Sequence, residues 1–357
     1  MRAVVRAQSG RGIEVVDEPY PEARTGYVIV RIKAAGICGT DLHTYNNANH
    51  PQSQSALLRP LGHEGSGIIE EVGKGVEGFD IGNRVTFNPY TSRTRGFCGT
   101  CESCLRGDPL GCSERHLMCA GGTMAEYASI RGDALYRLPD NISFEEGAMC
   151  EPFAVALSAV HEVAGLKTGQ SLCILGPGPI GLCVLLAAKL MSPSLTIVTG
   201  LSADRSPRLE LAQSFGADAI VNVEKEDPVE RVMEMTKGNG VDAVFEAIGV
   251  PLVQQGLSML KFRGRFIGIG HPIWAGASEQ PLIRLTVADY LNMQHRRLSL
   301  TGHWVYDTST WVRMMDLLKA GAVDLKPLAT HRLPLNDAEN GFRIASQKEC
   351  VKALLIP

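Results

Sequence analysis

A two-domain α/β chain, a β-rich unit followed by a Rossmann-type doubly wound parallel sheet, is predicted by three observations. The 357 residues exceed the size at which one core keeps growing. Residues 1–135 carry short alternating or β-branched runs between Gly- and Pro-rich turns. From about residue 155 a strand–helix rhythm takes over, which calls for a mostly parallel sheet covered by helices on both faces.

Taken in order, MRAVVRAQSGRGIEVVDEP alternates like a strand pair around Ser9-Gly10 and lacks the continuous apolar stretch of a signal peptide. Strands are then expected over 27–34, 67–72, 84–87 and 124–130. In the middle the expected strands are Leu172–Leu175, Leu195–Thr199, Ala219–Val223, Val241–Glu246 and Gly264–Gly270. The helices between them are Ile180–Leu190, Arg208–Phe215, Val229–Met235 and Val253–Leu260. Near the end, Val312, Met315 and Leu317 or Leu318 give Thr310–Lys319 a helical apolar face, and Asn336 or Asp337 can cap a helix running to Ala345. The terminal KALLIP reads as a strand. The short elements of the end match the β-rich start, so the expected domains are 1–154 with a metal-bound lobe at about 90–118, 155–298, and a return of 299–357 to the first domain. A cleft between them is the expected ligand site.

Composition excludes several classes of function. Hydrophobic residues make up 45%, charged residues 20%, and net charge is −3, which gives no bulk attraction to nucleic acid. The apolar runs near 172–190 and 251–260 are interrupted well short of a bilayer-spanning length, so no membrane partner is expected.

Cys98, Cys101, Cys104 and Cys112 follow the pattern C-x2-C-x2-C-x7-C. Four thiolates close a tetrahedron around Zn²⁺ and leave no position for substrate, so this zinc is expected to be structural. Free thiols, disulfides or an iron–sulfur cluster are the alternatives; closely spaced thiols in a reducing, cytoplasmic setting favour metal.

LCILGPGPIGLCVLLAAKL places G-x-G-x-x-G, with Gly176, Gly178 and Gly181, between a strand and a helix. Gly176 permits the turn, Gly178 clears room for pyrophosphate, and Gly181 lets the helix pack on the sheet. Pro179 and Ile180 then open the helix whose N-terminal N–H groups meet the phosphates. The next strand ends in Gly200, where a ribose-binding acid would favour NAD. Ser202, Arg205 and Arg208 follow, and two guanidinium groups suit a 2′-phosphate; NADP is therefore favoured, with Asp204 keeping NAD open.

Cys38 in Cys-Gly-Thr-Asp, His63 in Gly-His-Glu, and Glu151, with Glu64 beside them, form a candidate catalytic metal site. One thiolate, one imidazole and one carboxylate leave a fourth zinc position open for chemistry. Separations of 25 and 88 residues do not by themselves join them.

The runs GICGTDLH (36–43), GHEGSGIIEEVGKGVEGFDIGNRV (62–85), CGTCESCLRG (98–107), GTMAEY (122–127), EPFAVALSAV (151–160) and GPGPIGL (176–182) supply what spacing lacks. Together they resemble the zinc-dependent medium-chain alcohol, polyol and threonine dehydrogenase family, in its sorbitol dehydrogenase-like branch. The resemblance covers essentially the whole chain. It implies a GroES-like catalytic domain, an inserted nucleotide domain, and a homodimer or homotetramer. Cys38 and His63 match zinc-ligand positions, and Glu151 matches the polyol-type ligand where alcohol dehydrogenases carry cysteine. Glu64 matches a neighbouring carboxylate and Asp41 an acid that orients the histidine. Thr40 and His43 match a proton relay. Lys352 corresponds to a pyrophosphate contact, an exposed strand lysine being the alternative. Asn47 and His50 stand where they can line a polar substrate mouth.

The implied reaction is hydride transfer between a polyol, sugar alcohol or related hydroxy compound and NADP or NAD, with zinc easing loss of the hydroxyl proton. YDTSTW (306–311) resembles a segment of the threonine 3-dehydrogenase branch, which is the alternative substrate class. A catalytically inactive nucleotide- or nucleic-acid-binding protein is the alternative of another kind. Against it, Arg93, Arg95, Arg106, Arg115 and His116 are mixed with Glu102, Asp108 and Glu114, as on an ordinary solvated surface.

Overall fold

The alternating start pairs with itself: β1 (Arg2–Arg6) and β2 (Ile13–Asp17) run antiparallel, with Val4 opposite Val15. This is a computed structural model that describes residues 1–7, 12–46, 60–89, 98, 100–107, 109–112, 122–249, 252–270 and 285–357. It divides into one unit of Met1–Glu151 with Asp307–Pro357, and a second of Pro152–Tyr306.

In the first unit the long strand β3 (Tyr27–Gly36) is the organising element. It pairs antiparallel with β4 (Glu64–Val72) and with β6 (Tyr127–Arg131), while β5 (Arg84–Phe87) joins β4 to β7 (Leu135–Arg137). Val28, Val30, Ile32, Ile69, Val85 and Ile130 pack in one core. Each such side chain contributes about 1.5–3 kcal/mol by leaving water.

The second unit is a six-stranded parallel sheet. Its strands are β8 (Ser171–Leu175), β9 (Leu195–Gly200), β10 (Ala219–Asn222), β11 (Val241–Glu246), β12 (Leu260–Gly268) and β13 (Ser299–Gly302). They lie in the order β10-β9-β8-β11-β12-β13. The chain winds outward from β8 through β9 and β10, then reverses through β11 to β13, so the switch point lies between the ends of β8 and β11. All six residues of β11 are buried, as expected of a strand covered on both faces.

Three details of the second unit differ from the sequence expectation. The helix expected over Arg208–Phe215 is regular only at Glu210–Ser214; before it, Ser206 is extended (φ −122°, ψ 133°), as a residue preceding proline prefers. Strand β12 begins at Leu260, within the apolar run read as the end of a helix. Ser299–Gly302, placed with the returning segment by sequence, pairs parallel with β12 instead. Its four residues, Ser-Leu-Thr-Gly, carry no alternation that marks a strand.

The chain re-enters the first unit through the helix Thr308–Lys319. That helix buries Leu318 as expected from sequence, but with Trp311 and Met314 in place of Val312 and Met315, and turns Val312 outward. Then β14 (Ala329–Pro334), the helix Ala338–Ser346 and β15 (Lys352–Ile356) follow. Strand β15 pairs antiparallel with β3, Leu355 opposite Ala35, and delivers the last residues to the centre of the sheet.

Candidate active site

Antiparallel pairing of β3 with β4 sets Gly36 opposite Glu64, which carries the Cys38 turn and His63 to the same end of the sheet. The ligand atoms of Cys38, His63 and Glu64 consequently lie within 4.8 Å of one another. His63 and Glu64 are buried, and Gly62 before them has φ +92°. A Cβ there would fall 2.5 Å from Thr123 Oγ1, so only glycine permits this approach. Thr123 in turn donates to the Glu64 carbonyl at 3.1 Å.

Asp41, in the helix Gly39–Asn46, accepts the Cys38 N–H at 2.8 Å and so fixes the turn that carries the thiol. Burial pushes its carboxyl up to about 6 despite nearby His63. Burial pushes the His63 imidazole down, but the Cys38 charge and hydrogen bond, with Asp41 and Glu151, more than offset this and hold it well above the usual histidine range. Metal binding would displace that proton. Glu151, in the first turn of the helix Cys150–Ser158, is buried and close enough to act on His63, but the compact cluster includes Glu64 in its place.

Lys352 departs from one sequence expectation, that of an exposed strand lysine. It is 4% exposed, and its Nζ donates to both Glu64 oxygens at 2.7 and 2.8 Å and to the Ile37 carbonyl at 3.1 Å. Its ammonium is held inside the first unit by Glu64 and the Ile37 carbonyl. Thr40 Oγ1 is buried with no hydrogen-bond partner among the described residues, an orphan hydroxyl that a bound substrate would satisfy. His43 follows three positions later on the same helix and is half-buried. Asn47, His50, Arg93, Arg95, Asp108, Glu114, Arg115 and His116 lie outside the described residues.

The four cysteines converge separately. Cys98, Cys101, Cys104 and Cys112 offer sulfurs within 4.8 Å of one another. Cys98 Sγ and Cys104 Sγ stand 4.0 Å apart, near the roughly 3.8 Å expected between thiolates sharing a tetrahedral zinc. Thr100 N–H and Cys101 N–H donate to Cys98 Sγ and bring its thiol down to about 6. The donor chemistry of both clusters fits zinc.

In the second unit, Gly178 caps the helix Pro179–Lys189, Pro179 and Ile180 form its first turn, and a Cβ on Gly178 would meet nothing within 4 Å. No described atom therefore crowds the position where a pyrophosphate would approach the helix N-terminus. A Cβ on Gly181 would lie 1.9 Å from the Gly176 carbonyl, so the helix can pack here only as glycine. At the end of β9, Ser202 and Arg205 are exposed, whereas Arg208 is buried and paired with Asp204 at 3.4 Å. Arg208, expected to contact a 2′-phosphate, is thus engaged by Asp204 across the irregular turn. Asp204 also accepts the Leu201 N–H at 3.0 Å.

Sequence reasoning missed Glu246. Its Oε1 accepts the Ile248 and Gly249 N–H groups at 2.7 and 2.8 Å, and its carbonyl accepts those of Ile269 and Gly270. It thereby ties down both loops that follow β11 and β12 beside the switch point. A buried glutamate ending a central strand, followed by Ala-Ile-Gly, was the available signal.

Comparisons with known proteins agree with this geometry. Residues 24–140 match the alcohol dehydrogenase GroES-like domain, and residues 179–320 match the zinc-binding dehydrogenase family. The chain is 33% identical to L-threonine 3-dehydrogenase of Bacillus velezensis over 100% of its own length and 99% of the relative's. It is 32% identical to sorbitol dehydrogenase of Halalkalibacterium halodurans, with the same coverage. The crystal structure of 2R,3R-butanediol dehydrogenase from Bacillus subtilis superposes with a TM-score of 0.83 at 30% identity, covering 100% and 99% of the two chains. With two zinc-competent clusters in one unit and a dinucleotide turn in the other, the chain belongs to the zinc-dependent medium-chain dehydrogenase/reductase superfamily, as an NAD(P)-dependent enzyme transferring hydride to or from a hydroxylated small molecule.

Proposed function

We propose that the enzyme oxidises a polyol, sugar alcohol or related hydroxy compound reversibly to its ketone or aldehyde. Cys38, His63 and Glu151 hold the catalytic zinc, and Cys98, Cys101, Cys104 and Cys112 the structural one. The observation that carries this reading is the convergence of Cys38 and His63 beside buried carboxylates. Both oxygens of Glu64 already accept from Lys352, so Glu151 is the carboxylate left for the metal. Zinc, when bound, supplies Lewis acidity to the substrate hydroxyl, and the dinucleotide, when bound, accepts the hydride. Thr40 Oγ1 takes the substrate proton, and His43, one turn along the helix, passes it on. The likeness to sorbitol and butanediol dehydrogenases supports a substrate with neighbouring hydroxyls.

The test is turnover of sorbitol, other polyols, butanediol and L-threonine with each oxidised nicotinamide cofactor, before and after zinc removal. Polyol turnover lost with the metal is expected. Turnover confined to threonine, the substrate named for an equally similar relative, would overturn the substrate class. Glu151→Ala should lose one zinc equivalent and turnover together; Cys101→Ser should lose the other equivalent and loosen its lobe.

The same proposal includes assembly with further copies of the chain, supported by the exposed edge strand β13. It also includes a reducing, cytoplasmic setting, supported by the described cysteines all being free thiols. Nucleic acid and membrane are not partners in this reading; among the described residues no helix is long and apolar enough to cross a bilayer.

A further inference from the structure

The second strand of a dinucleotide-binding sheet commonly ends in a carboxylate for the adenosine ribose, and here that place is Gly200. The neighbouring strand brings a carboxylate to it. In the parallel pairing of β10 with β9, Asn222 stands opposite Gly200. Two residues farther on, Glu224 Oε2 accepts the Ser202 N–H at 2.6 Å. Asn222 braces the arrangement from both sides, donating through Nδ2 to Ser202 Oγ at 2.9 Å and accepting the Glu224 N–H at 3.0 Å. Hydrogen bonds from Ser202 hold the Glu224 carboxyl below its usual range, so it is charged at neutral pH.

A 2′-phosphate in this loop would look for backbone N–H groups and guanidinium partners. The Ser202 N–H is already given to Glu224. Arg208 is paired with Asp204, and Arg205 is the exposed arginine that remains in the loop. A phosphate dianion would also have to approach the Glu224 charge, whereas a ribose hydroxyl can donate to it.

We propose that Glu224 is the cofactor-selectivity residue, a carboxylate lent by β10 to the end of β9 that accepts the ribose hydroxyl of NAD and repels the 2′-phosphate of NADP. This replaces the two-arginine argument for NADP. It rests on dinucleotide binding at the Gly176–Gly181 turn and is independent of which alcohol reacts.

Titration of the full-length zinc-loaded protein with NADH and with NADPH, followed by nicotinamide fluorescence, reads it directly. The wild type should bind NADH at least about tenfold more tightly than NADPH. Glu224→Gln should erase most of that ratio by strengthening NADPH binding, and Arg205→Ala should weaken NADPH binding further. Glu224 is on the surface, so thermal unfolding of the Gln variant should stay close to wild type and mark it as folded. A wild type that prefers NADPH, or a folded Glu224→Gln variant with an unchanged ratio, overturns the assignment. Absence of polyol turnover with a shifted NADH/NADPH ratio would instead count against the substrate reading and leave Glu224 in its role.

Discussion

At the scale of single residues, the pairing of Lys352 with Glu64 has the sharpest consequences. Both side chains are at most 4% exposed, so removing one partner leaves a buried charge without its counterion. Lys352→Met should cost about 3–5 kcal/mol in urea unfolding, and Lys352→Met/Glu64→Gln should recover much of that loss. An unchanged unfolding midpoint in the single variant would refute the pairing. The hydroxyl proposed to take the substrate proton makes a different prediction: Thr40→Val should lower turnover by about 10²-fold or more with zinc content preserved, and Thr40→Ser should restore most of it. Equal turnover in the Val variant would remove Thr40 from the proton path. These residues also show what a sequence discloses. The cysteine cluster and the glycine turn are local, so spacing reveals them. Lys352 meets Glu64 across 288 residues, and nothing in KALLIP tells that its lysine points inward.

Among the elements, β11 depends on a carboxylate at its start. Asp242 accepts from Ser171 N–H at 2.9 Å, Ser171 Oγ at 3.0 Å and Gln170 Nε2 at 3.0 Å, and pairs with Lys261. It therefore stitches β11 to the segments that begin β8 and β12. Burial pushes its carboxyl up, but Lys261 and the Ser171 donors outweigh that and set it below the usual carboxylate value. A depressed native value means the stabilisation is complete above the unfolded value near about 4 and fades as pH falls below it. Asp242→Asn should lose about 1–3 kcal/mol at about pH 7, with the gap from wild type closing toward about pH 3. A gap that stays constant across that range would contradict the account. The strand–helix rhythm around β11 was readable because both periodicities are written into its apolar residues. The irregular turn at Arg205–Leu209 and the strand β13 were not: Pro207 acts through local sterics, and β13 exists through its pairing with β12.

For the whole molecule the open edge of the parallel sheet bears on assembly. Strand β13 is bonded to β12 on one side and, among the described residues, to no strand on the other, and Ser299, Leu300, Thr301 and Gly302 are all exposed. It carries none of the charges, prolines or bulges that keep an edge strand from adding another. The preceding helix Val287–Arg296 buries no residue and leaves Val287 77% and Tyr290 58% exposed. A two-fold contact in which β13 meets its own copy antiparallel satisfies the free backbone groups of both strands with one self-complementary patch. Sedimentation at micromolar concentration should accordingly find a dimer or larger species. Leu300→Lys places a charge in the middle of the strand and should shift the protein to monomer while its zinc content stays at the wild-type level. A monomeric wild type, or a Leu300→Lys variant that remains fully assembled, would rule this edge out as the contact.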